Sequence, residues 1–485
     1  MIARVTRKPP RKRIVILGGG FGGVYGAMHF EKLLARQHAV EVCLVSRDNF
    51  FLFTPMLHEI AASDLEISNI VNPLRKLLRH VEVLVGDVNE LDLPNSRVTI
   101  SHRHNSHLQV MHYDHLVIAL GSVTNFYDLP GLADMAIPMK TVQDAIRLRA
   151  QVLGRLEAAN AEIDNLERRS LLTFVVAGGG FAGVETVAAL NDFIREVLPF
   201  YPNLCEEMCR VVLVHSGSII LPELGHDLGD YTKKVLARRG VDIRLNSRVR
   251  SVTQNNVTLS DGTPISSRTL VWTAGIIPSP LIASVPSSKE RGRLVVNQFL
   301  QLPDWPNVWA IGDCAFVPDI GNPGKSHPPT AQHAMREGKI VAQNIVAALS
   351  GRSLRAFSFK TIGLLASIGR RMGVARIFGF NFSGFFAWWM WRTVYLSKLP
   401  GLDKKVRVAF DWTLDLLFPK DVCAVYDHDP RRDFHRPDHA MNTAGNNGDS
   451  PPSSHQSMLS SMGIGLTRIQ PLPGERYGWA NPEVG

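Results

Sequence analysis

Cysteine is scarce and unpatterned. The five cysteines, Cys43, Cys205, Cys209, Cys314 and Cys423, form no C-x-x-C pair and no spacing typical of a disulfide framework. That points to free thiols in a reducing compartment. Cys205 and Cys209 stand four apart with no histidine cluster beside them, so no metal site is expected. Long uncharged apolar runs are also missing. None reaches the ~18 residues of a spanning helix, so no transmembrane segment is expected. The basic N-terminal stretch, residues 1–12, has no apolar run behind it and does not read as a secretory signal.

What is present is enough for two or three domains. The chain has 485 residues, 45% of them hydrophobic, and a net charge of +9. "RIVIL" (13–17) and "VEVCLV" (40–45) read as buried parallel strands joined by a helix, a βαβ unit. "HLVIALGS" (115–122) is another buried strand, ending in a small-residue turn at Gly121. The pattern then restarts. "LLTFVVAGGG", a helix and "RVVLVHSG" make a second unit, closed near Gly275 of "VWTAG". "NVWAIGDCA" (307–315) is one more strand, ending in the acid Asp313, and a helix follows over 330–349.

Each unit carries a glycine-rich turn between its first strand and helix. Gly18, Gly20 and Gly23 fit G-x-G-x-x-G, and so do Gly178, Gly180 and Gly183. The first glycine permits the sharp turn, the second lets backbone approach a pyrophosphate, and the third lets helix pack on strand. The pyrophosphate then meets the helix N-terminus. One such turn is weak evidence; two in the required strand–turn–helix context are strong. The motif also expects an acid about 20 residues on, at the end of the next strand. Neither copy has one: the first strand ends in Ser46, followed by Arg47, and the second in His215, followed by Ser216. Serine or histidine can still bond a ribose hydroxyl, and a protonated histidine would tolerate a 2′-phosphate, so NADPH stays open beside NADH.

Two dinucleotide folds with a later "GD" strand resemble the pyridine nucleotide–disulfide oxidoreductases. Within them the chain resembles the type II NADH dehydrogenases, which are NAD(P)H:quinone oxidoreductases. The stretches "ILGGGFGGV", "RDNFFLFTPMLHEIAA", "VAGGGFAGVE", "VWTAG", "WAIGDCA" and "PPTAQHAMREG" carry the likeness, over about residues 12–350. It implies two Rossmann-like α/β domains. The FAD-binding domain would comprise 13–125 and 275–350, with the NAD(P)H-binding domain, 126–274, inserted. Gly18, Gly20, Gly23, Ser46, Arg47, Val88, Gly121, Asp313 and Ala331 would serve FAD. Gly178, Gly180, Gly183, His215 and Gly275 would serve the nicotinamide nucleotide. Glu185 and Gln332 would be catalytic, with Glu185 beside nicotinamide and flavin. Gln332, Arg336 and Glu337 would line the quinone site, although many relatives carry Gln-Gln where Arg336–Glu337 stands here. The region "FTPMLHEIAAS" has no redox cysteines, which argues against disulfide reduction.

Residues 351–427 are aromatic and basic, and across 351–410 eleven Lys and Arg face one acid, Asp403, a net of +10. "IFGFNFSGFFAWWMW" (377–391) is uncharged and holds Trp388, Trp389 and Trp391. Tryptophan beside basic residues suits an anionic lipid surface. The expectation is a membrane-associating α region with a helix lying on the bilayer, on the cytoplasmic face of the inner or plasma membrane. The competing reading packs the aromatic face on the flavin domains or on a second subunit of a homodimer. No nucleic-acid module accompanies the charge. Residues 428–485 read as a disordered tail. The function expected is oxidation of NAD(P)H through FAD with two-electron reduction of a membrane quinone, without proton pumping. The rivals are a soluble reductase with a ferredoxin- or rubredoxin-like acceptor, and a slow redox-sensing flavoprotein.

Overall fold

Ile14, Val15, Ile16 and Leu17 are completely buried. Such an unbroken apolar run suits a strand covered on both faces, and Lys12–Leu17 lies centrally in a six-stranded sheet. From edge to edge the order is Glu82–Val85, Val40–Ser46, Lys12–Leu17, His115–Ile118, Trp305–Ala310 and Gln301–Leu302. All neighbours are parallel except the last pair. The direction of winding reverses between Lys12–Leu17 and His115–Ile118, the switch point at which open α/β sheets bind ligands.

A second sheet repeats the plan. Its order is Val241–Arg244, Arg210–Val214, Thr173–Ala177, Thr269–Trp272 and Ile137–Pro138, all parallel. Its switch point lies between Thr173–Ala177 and Thr269–Trp272. Ser122–Thr124 pairs antiparallel with Ile276–Pro278, so the chain enters and leaves the second sheet side by side.

The structure is a computed structural model that describes residues 11–34, 39–102, 107–414, 418, 420 and 423. The expected 428–485 tail and nearly all of the basic N-terminal stretch lie outside the described residues. None of the five cysteines is in a disulfide.

Helix Ala331–Leu349 packs on helix Phe21–Leu34 closely enough to require glycine. A Cβ on Gly338 would stand 2.5 Å from the Gly22 carbonyl oxygen and 2.8 Å from the Gly26 nitrogen. This holds the helix that follows the first glycine turn against the helix that follows Asp313 in sequence.

The region after 350 differs from the α region expected. It begins with an antiparallel meander, Gly363–Ser367, Gly373–Ile377 and Phe380–Gly384, before helices Phe385–Lys398 and Leu402–Leu414. The glycines of "IFGFNFSGFF" explain this. Phe378 and Gly379, at φ 51° and 88°, form the two-residue turn of a tight hairpin. Gly384, at φ 77°, then ends the strand just before the helix starts. Among the described residues no helix is long and apolar enough to cross a membrane.

Candidate functional site

The glycine turns are built as the motif requires. A Cβ on Gly18 (φ 113°) would meet the Ala119 carbonyl oxygen at 2.2 Å, and one on Gly23 the Gly18 carbonyl oxygen at 1.9 Å. A Cβ on Gly20 would meet no protein atom within 4 Å. The first and third glycines are therefore demanded by the protein itself, while the second faces open space left for something else. The second turn repeats this. Gly178 (φ 120°) abuts Thr273 at 2.4 Å, Gly183 abuts the Gly178 carbonyl oxygen at 1.9 Å, and Gly180 faces open space. Helix Phe181–Val197 has no side-chain cap, which leaves its first N–H groups available to a phosphate.

Around the first turn the strand ends converge. Ser46 is buried beneath Gly19. Gly86 donates its N–H to the Ser46 carbonyl at 2.9 Å, which brings Val88 beside the same strand end. Arg47 is exposed and pairs with Asp87 at 2.8 Å. Across the switch point, Ser122, next to Gly121, donates its hydroxyl to Asp313 at 2.5 Å, and Lys140 donates to Ser122 at 2.8 Å. Thr330 gives helix Ala331–Leu349 no side-chain cap, so the N–H groups at Ala331 and Gln332 open the helix towards this region. These residues form a cradle whose donor set and open glycine fit a dinucleotide such as FAD.

Around the second turn lies a cleft of about 450 Å³, lined by Tyr127, Gly178, His215, Ser216, Arg248 and Trp272 among others. Gly275 (φ 151°) closes against the Tyr127 hydroxyl. His215 does not offer its ring as expected. Its Nδ1 accepts the Gly179 N–H at 3.1 Å, and the imidazole also bonds the Ile219 backbone. Burial lowers its pKa, which disfavours the charged ring. Of the two options left open for His215, this geometry does not favour a protonated ring meeting a 2′-phosphate.

Glu185 lies in the first turns of helix Phe181–Val197, and the C-terminal segment covers it. Its Oε1 accepts from the Ser367 N–H at 3.1 Å and from the Trp391 indole at 3.0 Å. His58 Nδ1 stands 3.9 Å from its other oxygen. Burial pushes the Glu185 carboxyl up to about 8 and the His58 imidazole down to about 3. The adjacent Glu59, which accepts from Trp412 at 3.3 Å, is also pushed up to about 8 by burial. At neutral pH this pocket therefore holds protonated carboxyls beside a neutral imidazole.

Gln332 donates to the Gly363 carbonyl at 2.8 Å. Arg336 lies over the Phe359 ring at 3.9 Å and donates to the Gln332 carbonyl. Glu337, expected at a quinone site, instead turns inward. It is buried and accepts the Gly312 N–H at 2.7 Å, and burial raises its carboxyl to about 7. The helix periodicity explains this: Glu337 falls on the face of Ala331–Leu349 that also buries Ala334 and Val341.

The C-terminal segment spans both sheets' domains. Trp391 is wholly buried, its ring centroid 5.7 Å from that of His58 and 4.7 Å from that of Tyr395. Trp388 is nearly buried, so of the three tryptophans only Trp389 is exposed. Lys76 pairs with Asp403 at 2.7 Å, and Lys420 pairs with Asp64 and, at 3.0 Å, with Glu196. Sequence reasoning missed His58, Glu59, Trp412 and Lys140 as members of the site. The one signal available was an adjacent His-Glu inside an otherwise apolar stretch.

The sequence profile described as pyridine nucleotide-disulphide oxidoreductase matches residues 12–338, and one described as the NDH2 C-terminal domain matches residues 362–421. The chain is 33% identical over 429 residues to the type II NADH:quinone oxidoreductase Ndh of Mycobacterium tuberculosis, covering 85% of this chain and 90% of that protein. The chain belongs to the type II NADH:quinone oxidoreductase family. Other members of the family similar to it include a probable NADH dehydrogenase of Dictyostelium discoideum, at 31% identity over 85% of this chain and 91% of that one. The demethylphylloquinone reductase NdbB of Synechocystis is 30% identical, over 83% and 96%. The type II fold is seen in NDH2 from Plasmodium falciparum in complex with NADH. That structure superposes with a TM-score of 0.79 at 22% identity, over 85% of this chain and all of that one.

Proposed function

We infer that this protein oxidises NADH and passes the two electrons through FAD to a quinone, without pumping protons. The observation that carries the reading is the second glycine of each turn. Gly20 and Gly180 both face open space at a helix start, while their partner glycines are locked by backbone. One chain therefore offers two separate pyrophosphate cradles, as a flavoenzyme that oxidises a nicotinamide nucleotide needs.

We assign the first cradle to FAD, with Gly18, Gly20, Gly23, Ser46, Arg47, Val88, Gly121, Asp313 and Ala331 around it. The second, with Gly178, Gly180, Gly183 and Gly275, is assigned to the nicotinamide nucleotide. The flavin, when bound, supplies the two-electron relay between nicotinamide and quinone. The protein's share is to orient, to shield and to hold protons. Glu185 and its neighbour Glu59 keep protons at neutral pH in a pocket closed by Trp391 and Trp412. Gln332 and Arg336, at the start of helix Ala331–Leu349, are the side chains assigned to the quinone end. Glu337 is assigned to hold the Gly312 turn.

The protein acts at a membrane surface in this reading. Leu402, Val406 and Phe410 recur every four residues and stand 78%, 61% and 62% exposed on helix Leu402–Leu414, while Val408 and Trp412 face inward. Phe385, Phe386 and Trp389 are exposed on the neighbouring helix. Lys404, Lys405 and Arg407 flank this face, which suits insertion among anionic headgroups. The cytoplasmic leaflet is assigned on the reducing environment that free thiols suggest; a second copy of the chain is the other occupant this apolar face would suit.

The test is NADH oxidation by the purified yellow protein with a short-chain quinone. Flavin that stays oxidised with NADH present, or reduced flavin that quinone does not reoxidise, would overturn the reading.

A further inference from the structure

The cleft of the second glycine turn contains no carboxylate among its lining residues. An acid at that strand end bonds a ribose 2′-hydroxyl and repels a 2′-phosphate. Here the strand Arg210–Val214 is followed by His215, whose ring nitrogens are already engaged by the backbone of Gly179 and Ile219. The imidazole is also wedged in place: a Cβ on Gly179 would stand 2.5 Å from its ring, and one on Gly217 would stand 2.8 Å from Nε2. His215 therefore fills the space where an acid would reach the ribose, and brings no carboxylate there. Glu223 acts electrostatically on His215 but does not line the cleft.

Besides His215, the polar side chains lining the cleft are Tyr127, Ser216, Ser247, Arg248 and Trp272; the Ser247 hydroxyl donates to the Leu245 carbonyl at 3.0 Å and the Trp272 indole to the Asn125 carbonyl at 2.8 Å. Neighbouring arginines are taken: Arg210 and Arg244 both pair with Asp242, at 2.7 and 2.9 Å. Arg248 is exposed at the cleft rim, and its guanidinium has no carboxylate partner among the described residues.

We propose that Arg248, with the hydroxyl of Ser216, forms a 2′-phosphate subsite, so that this enzyme accepts NADPH as well as NADH. The proposal rests on the assignment of this cleft to the nicotinamide nucleotide. A guanidinium offers paired donors to phosphate oxygens, and the Ser216 hydroxyl adds a neutral donor. The 2′-hydroxyl of NADH would still find Ser216, so discrimination runs through Arg248.

Two measurements on the FAD-loaded full chain test this. In the first, calorimetry compares adenosine 2′,5′-bisphosphate with 5′-AMP. The bisphosphate binds at least about tenfold tighter in the wild type, and Arg248→Ala removes most of that advantage. In the second, kcat/KM is measured for NADPH and NADH. The wild-type ratio lies within about tenfold of unity, and Arg248→Ala or Ser216→Asp lowers the ratio by about 10- to 100-fold. Equal binding of the two adenosine nucleotides, or a ratio that Arg248→Ala leaves unchanged, overturns the subsite. NADH oxidation with no NADPH oxidation also overturns it, and leaves the NADH:quinone reading standing. Tight bisphosphate binding without oxidation of either nucleotide supports the subsite and overturns the quinone reading instead.

Discussion

The Trp391 indole donates to Glu185 at 3.0 Å across 206 positions of sequence. That bond ties the helix after the second glycine turn to the C-terminal segment and roofs the pocket that also holds His58 and Glu59. Removing the donor while keeping an aromatic ring isolates its contribution. Trp391→Phe leaves Glu185 with the Ser367 N–H alone. Loss of one buried bond should cost about 1–3 kcal/mol, read from the urea midpoint of the flavin-loaded protein. An unchanged midpoint would show that the indole bond does not hold the roof.

The buried carboxyls set a pH dependence with a defined sign. Glu185 and Glu59 rise from 4.5 to about 8 on folding, so the folded state holds their protons more tightly. Their stabilisation is complete below pH 4.5 and is lost as pH rises through about 8. His58 falls from 6.5 to about 3, so its contribution is lost as pH falls below 6.5 and opposes the acids there. Between pH 6.5 and 8 the two acids therefore act without it, and unfolding stability should decline by on the order of 1 kcal/mol per pH unit for each. Glu185→Gln should remove about half of that slope in a calorimetric pH series. The same slope in both proteins would contradict the buried-acid account.

Gly20 and Gly183 are predicted to fail differently. Gly183→Ala drives a methyl into backbone at 1.9 Å, which overpacks the second turn and should cost about 1–3 kcal/mol of folding stability. Gly20→Ala meets no protein atom within 4 Å, so the apoprotein should unfold at a temperature close to wild type. Its defect should be in FAD retention, measured as flavin released on dilution, with affinity down by about tenfold or more. Full flavin content in Gly20→Ala would remove the first turn from the FAD site.

The exposed face of the last two helices is separable from catalysis. Phe410→Asp with Val406→Asp places two charges where apolar side chains stand 62% and 61% exposed. Binding to vesicles containing anionic lipid should fall by about tenfold or more. Turnover with a water-soluble short-chain quinone should persist. Undiminished cosedimentation with vesicles would exclude this face as the lipid contact.

The two-sheet α/β fold was legible because its signals are local. Buried parallel strands are continuous apolar runs, and a glycine at positive φ abutting backbone permits no other residue, so strand, turn and helix appear within about twenty residues of each other. The same locality exposed the missing acid after each turn. The C-terminal segment was less legible. Its apolar run reads equally as one interfacial helix, and only the turn at Phe378–Gly379 and the break at Gly384 divide it into strand and helix.

From the sequence alone came the two nucleotide cradles, the residues whose size they forbid, and the localised positive charge. Only the tertiary structure decided which side chains those cradles could use. His215 is occupied by the Gly179 and Ile219 backbone, Glu337 by the Gly312 N–H, and Trp391 by Glu185. A side chain's chemistry depends on the partners that satisfy it and on the water that burial removes. Apart from the His215–Ile219 contact, both are set here by contacts between residues 25 to 206 positions apart, which local pattern does not encode.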